Sequence, residues 1–119
     1  MTSSGGIVVH VTTGEASEWQ MAVRNLVNLV REESVSMPPE RVKVVVNGPA
    51  VRFLLASSAE SEKVAQMLRA GVTIGACANS LERFEYARED LVDGVALVNS
   101  GVAEVVRAQQ DGRNYLRLP

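Results

Sequence analysis

The run Ile7-Val8-Val9-His10-Val11 decides the fold, because four of its five residues are apolar and β-branched. A strand with one face in water alternates apolar and polar residues. A near-continuous apolar run instead marks a strand covered on both faces, as in a parallel sheet flanked by helices. Thr12, Thr13 and Gly14 close the run. Trp19, Ala22, Val23, Leu26 and Val30 then recur at helical spacing, and Ser17 with Gln20 has the spacing of a capping box. Residues 18 to about 32 therefore read as an amphipathic helix.

Working outward, the same alternation repeats. Val42-Lys43-Val44-Val45-Val46 is a second strand, stopped by Asn47-Gly48-Pro49. Pro49 suits the first position of a helix, where its missing N–H is no loss, and that helix continues through Val51, Phe53, Leu54 and Leu55. Ser57 with Glu60 signals the next helix start; Val64, Ala65 and Leu68 form its apolar face, and Gly71 is a natural stop. Val72-Thr73-Ile74-Gly75-Ala76 is a third strand running into Cys77, and Asn79 with Glu82 predicts a short helix beside that cysteine. Residues 85–94 are mixed and polar, a turn of helix and a loop. Val95-Ala96-Leu97-Val98 is the fourth strand. After Asn99-Ser100-Gly101 comes a helix with Val102, Val105 and Val106 on one face, ending near Gly112, and Tyr115-Leu116-Arg117-Leu118 adds a short edge strand. The expected fold is a three-layer α/β/α domain with a mainly parallel sheet of four to five strands. Residues 1–6 read as a flexible tail and 7–119 as one domain.

Composition narrows the function classes. The net charge is −2, from 12 basic and 14 acidic residues, and the basic residues are scattered, which argues against nucleic acid as partner. No apolar run approaches the roughly 20 residues a bilayer crossing needs. The opening residues have neither the positive region nor the apolar stretch of a secretory signal. One cysteine makes no internal disulfide and one histidine completes no protein-only zinc site. Both suit a cytoplasmic protein. The Gly-containing stretches match neither the dinucleotide fingerprint nor the P-loop, and no serine sits in a nucleophile elbow. No cofactor or metal is expected. Asp and Glu fall mostly on helix surfaces, as a solvated face requires.

In open α/β sheets, ligands bind outside the carboxyl ends of the strands. Those ends carry Thr12-Thr13-Gly14, Asn47-Gly48-Pro49, Cys77-Ala78-Asn79-Ser80 and Asn99-Ser100-Gly101, each before a predicted helix whose first N–H groups attract anions. Asn, Ser and Gly are also ordinary cap and turn residues. Cys77 is the informative member. At a helix start its thiolate is stabilised and reactive; packed in apolar surroundings it is an inert filler. His10 sits mid-strand and reads as a packed core residue.

The segment Ala70-Gly71-Val72-Thr73-Ile74-Gly75-Ala76-Cys77-Ala78-Asn79-Ser80-Leu81 resembles the DsrE/DsrF-like family, which includes the YchN-like and TusD-like sulfur-relay proteins. The strands Ile7–Val11 and Val42–Val46, the helix start Ser100-Gly101-Val102-Ala103-Glu104 and the Tyr115-Leu116 ending fit as well, so the resemblance spans nearly the whole chain. It implies a small α/β fold assembled into trimers or hexamers. It also implies that a cysteine at the Cys77 position accepts sulfane sulfur as a persulfide and passes it to another thiol, with sulfur donor and acceptor proteins as partners.

Two readings follow. In the first, the chain is a sulfur-carrier or sulfurtransferase-like subunit with Cys77 as acceptor; Asn79 and Ser80 steady the sulfur, and Asn47 and Asn99 line the same edge. In the second, it is a non-enzymatic oligomeric binding module for a small anionic ligand or a protein partner at that edge. An accessible Cys77 favours the first, and a Cys77 sealed in apolar packing favours the second.

Overall fold

The computed structural model describes residues 5–119. Residues 1–4 of the expected tail lie outside that range, and Gly6 at its end is packed: it is buried and its carbonyl accepts the Asn114 N–H at 3.0 Å. Five strands form one sheet: β1 (Ile7–Val11), β2 (Val42–Val46), β3 (Thr73–Cys77), β4 (Ala96–Val98) and β5 (Asn114–Arg117). Their order is β4-β3-β2-β1-β5 and every neighbouring pair is parallel. The connections carry α1 (Ala16–Arg31), α2 (Ser61–Ala70), α3 (Ala78–Arg83) and α4 (Gly101–Gln110), with short 3₁₀ turns among them.

This order fixes where the helices lie. The chain steps from β1 to β2, β3 and β4 in one direction, and right-handed crossovers then put all three connections on the same face. From β4 it returns across the sheet to the far side of β1, so α4 must lie on the opposite face. The core divides accordingly. Ile7, Val9, Val11, Val44, Val46, Ile74 and Ala76 turn to the crowded face, against Trp19, Val23 and Leu26 of α1, Phe53 and Leu54, Val64 of α2 and Leu81 of α3. Val8 and Val45 turn the other way, against Val105 and Ala108 of α4. Lys43 on that face pairs with Glu104 and ties α4 to the sheet.

Several local expectations change. Helix α1 begins at Ala16 after Glu15, and α2 begins at Ser61 after Glu60; neither Ser17 nor Ser57 caps a helix by its side chain. The segment after Pro49 is a 3₁₀ helix, Gly48–Leu54, which suits its sequence. Its buried residues Ala50, Val51, Phe53 and Leu54 pair at i and i+3, the eclipsed spacing of three residues per turn. Gly71 ends α2 in the left-handed region, at φ 114°, as expected of a glycine stop. On α4 the buried stripe is Val105 and Ala108, while Val102 and Val106 are exposed. Strand β4 lies at the sheet edge, and its Ala96 and Leu97 are exposed.

Candidate functional site

Adjacent strands whose following connections leave toward opposite faces open a crevice at their carboxyl ends. In this sheet β3 and β4 are such a pair, since β3 leads into α3 on the crowded face and β4 leads into α4 on the other. Cys77 is the last residue of β3, in register with Val98 of β4. Ile74 and Ala76 belong to the crowded-face core, so strand alternation directs Cys77 to the α4 side.

Two helix starts converge on its sulfur. Cys77 itself is the N-cap of α3, so the Asn79 and Ser80 N–H groups, which have no intrahelical acceptor, point back at it. The Gly101 N–H, at the start of α4, arrives from the other side. The Ser80 hydroxyl accepts the Gly48 N–H at 2.8 Å and donates a hydrogen bond to the sulfur. Cys77 is only 4% exposed. Burial is the largest single influence on its thiol and raises the pKa. The Ser80 hydroxyl and the Gly101, Ser80 and Asn79 N–H groups together outweigh it, and the thiol lies below its ordinary value.

The thiol is therefore neither openly accessible nor sealed in apolar packing. It is buried among hydrogen-bond donors, an environment that favours an anionic sulfur. Of the residues expected to join it, Ser80 does so through both its hydroxyl and its N–H, and Asn79 through its N–H alone. The Asn79 side chain does not cap α3. Asn47 stands one step away: its Oδ1 takes the His10 Nε2 proton at 2.5 Å, and its side chain lies against Gly101. Asn99 is exposed, and among the described residues its side chain makes no hydrogen bond. Ser100 caps α4 instead, accepting the Ala103 N–H at 3.2 Å.

Two features of the edge were not tied to Cys77 from the sequence. The Gly101 N–H comes from a separate crossover, and only the return of α4 across the sheet brings it to β3. His10, read as core, is buried at 9% exposure but hydrogen-bonded on both ring nitrogens, to Asn47 and at 3.4 Å to the Tyr115 hydroxyl. The available signal was its place beside Val11, one residue before a strand's carboxyl end. Among the described residues, no group of His, Cys, Asp and Glu comes together that would hold a metal ion, and no helix is long and apolar enough to cross a membrane.

Comparison with solved structures supports the same architecture. The protein of unknown function MTH1491 from Methanobacterium thermoautotrophicum is 30% identical, with a TM-score of 0.87 over 96% of this chain and 99% of that one. BT1422 from Bacteroides thetaiotaomicron, also of unknown function, is 16% identical with a TM-score of 0.75 over 99% of both chains. The ychN protein of E. coli is 14% identical with a TM-score of 0.71, over 95% of this chain and 99% of that one. No curated protein sequence matches significantly. The profile of the DsrE/DsrF-like family matches residues 7–118, from the first strand through the residue after β5, and the chain belongs to that family.

Proposed function

We propose that this protein is a cytoplasmic sulfur-carrier subunit that accepts sulfane sulfur on Cys77 and passes it to a partner thiol. The observation that carries this reading is the convergence of three N–H groups and one hydroxyl on the Cys77 sulfur. The same donors that hold a thiolate hold the persulfide anion that replaces it. In the transfer, the Cys77 thiolate attacks the outer sulfur of a donor persulfide. A new S–S bond forms at Cys77, the donor S–S bond breaks, and the donor leaves as a thiolate. The electron count is conserved, so no oxidant or reductant is needed. An acceptor thiolate later repeats the step on the Cys77 persulfide. Because Cys77 is 4% exposed, a donor must engage the strand-end edge closely for its sulfur to reach the thiol.

The carrier works as a homo-oligomer, a trimer or hexamer by family resemblance. The α4 face supports this, since Val102 is 59% and Val106 48% exposed on the sheet side with the thinner cover.

The test is intact-protein mass spectrometry of the native chain after incubation with a persulfide donor. The expected result is a gain of one sulfur that Cys77→Ser abolishes while keeping the fold. The low exposure of Cys77 supports the second reading, a non-enzymatic module binding a small anionic ligand or partner at this edge. If native Cys77 resists alkylation and sulfur uptake yet reacts readily in denaturant, the carrier reading fails and the binding module takes its place.

A further inference from the structure

His10 is the only histidine, it is buried, and sulfur transfer as written gives it no part. It lies on β1, two strands from Cys77, yet an unbroken series of contacts joins the two. The Asn47 Oδ1 only accepts, so His10 carries its proton on Nε2 and donates it there at 2.5 Å. Nδ1 faces the Tyr115 hydroxyl at 3.4 Å. On its other side Asn47 meets Gly101: a Cβ placed on that glycine would stand 2.9 Å from the Asn47 Cβ and 3.1 Å from its Cγ. Gly101 in turn presents its N–H to the Cys77 sulfur. The nearby cations are engaged elsewhere, Arg117 with the Thr12 hydroxyl and Lys43 with Glu104.

We propose that His10 and Asn47 are positioning residues for Cys77: His10 locks the Asn47 carboxamide, and Asn47, packed against Gly101, holds the Gly101 N–H on the sulfur. A glycine is the backbone position most free to move, and hydrogen bonds weaken steeply with misalignment. A first-turn glycine aimed at a sulfur therefore needs a support, and Asn47 fills the space where a side chain on residue 101 would otherwise limit it. The inference rests on Cys77 being the working group of the site, but it concerns the pocket's geometry and needs no sulfur transfer to test.

The experiment is the pH titration of the Cys77 thiol, followed by its rate of alkylation in the native chain and in the variants His10→Phe, His10→Gln and Asn47→Ala, with circular dichroism and thermal melting of each. Both His10→Phe and Asn47→Ala should raise the apparent thiol pKa by about one unit, the size expected for weakening one donor to a charged sulfur. His10→Gln, whose amide N–H also reaches toward Oδ1, should restore most of the native value. A purely structural role would lower the melting temperature and leave the titration unmoved. If His10→Phe does not fold, Asn47→Ala, which removes the Cγ and Oδ1 that stand against Gly101 and accept from His10, decides alone. Native-like titration in folded Asn47→Ala overturns the proposal. Absent sulfur uptake with the expected pKa rise sinks the carrier reading alone, and sulfur uptake with unmoved titration sinks the positioning pair alone.

Discussion

Ser80→Ala removes two hydrogen bonds of different kinds, and pH separates them. The Ser80 hydroxyl accepts the Gly48 N–H at 2.8 Å and donates to the Cys77 sulfur, and the residue is 8% exposed. Leaving the Gly48 N–H without this acceptor costs roughly 1–2 kcal/mol of stability at any pH. A donor to a charged acceptor is worth roughly 1.5–3 kcal/mol, or about one to two pKa units. The three remaining N–H donors shift toward the sulfur and recover part of that, so the expected rise in the thiol pKa is about one unit. The sign of the linked effect follows from the lowered thiol. A folded-state pKa below the unfolded one, near 8.5, adds stability that is complete above the unfolded value. That stability is lost as pH falls through the folded value. Ser80→Ala should then cost about 1.4 kcal/mol more at about pH 9.5 than at about pH 6. Urea denaturation at the two pH values, with alkylation rate against pH as the direct measure of the thiol, reads both parts. A folded Ser80→Ala protein with the native thiol titration and one stability loss at both pH values would refute the reasoning.

Three further outcomes follow from other contacts. Cys77→Val should destabilise the fold more than Cys77→Ser although valine is the better apolar filler, because it leaves the Asn79, Ser80 and Gly101 N–H groups without the acceptor that serine supplies; thermal melts rank the two. Lys43→Met should cost about 1 kcal/mol at neutral pH. Its hydrogen bond is the main cause holding the Glu104 carboxyl below its usual range, against burial and with help from Arg107. That contribution is complete above the unfolded carboxylate pKa of about 4.3 and fades in acid, so urea midpoints of wild type and variant should converge there. Sedimentation at micromolar concentration should show more than a monomer, and Val106→Asp, at a position 48% exposed, should shift the chain toward lighter species without unfolding it. A wild-type monomer across the whole concentration series counts against the oligomer.

The strands were legible because a doubly covered strand has a composition of its own, and β1, β2 and β3 have it. The fourth run, Val95-Ala96-Leu97-Val98, has the same composition yet forms an edge with Ala96 and Leu97 exposed. Local sequence does not tell whether a second neighbour follows. Helix α4 failed for a related reason: valines at 102, 105 and 106 permit two stripes. The buried one is chosen by distant partners, Lys43 holding Glu104 and Asn47 against Gly101. Three serine or asparagine residues had capping-box spacing, and none of the three helices uses it. The motif requires a hydrogen bond as well as a spacing, and each helix start was set instead by where the preceding segment meets the sheet. Cys77 was legible as the candidate because it ends a strand. Its burial and its fourth donor were not, since both depend on the direction of a crossover.

That direction explains how one thiol is at once buried and acidic. Burial alone would raise its pKa and leave it inert, and an exposed position at a strand end would leave its pKa near that of free cysteine. Here β3 and β4 send their chains to opposite faces, so the starts of α3 and α4 flank one point from two sides. Each start carries N–H groups with no partner inside its own helix. A hydroxyl or carbonyl at position 77 would satisfy them as well, but a thiol there ionises far more readily than a hydroxyl and so becomes a nucleophile near neutral pH. Stabilising the helix starts and activating the thiol are therefore one set of hydrogen bonds. A substitution that weakens the donors should lower folding stability and thiol acidity together above the thiol pKa, and lower stability alone beneath it.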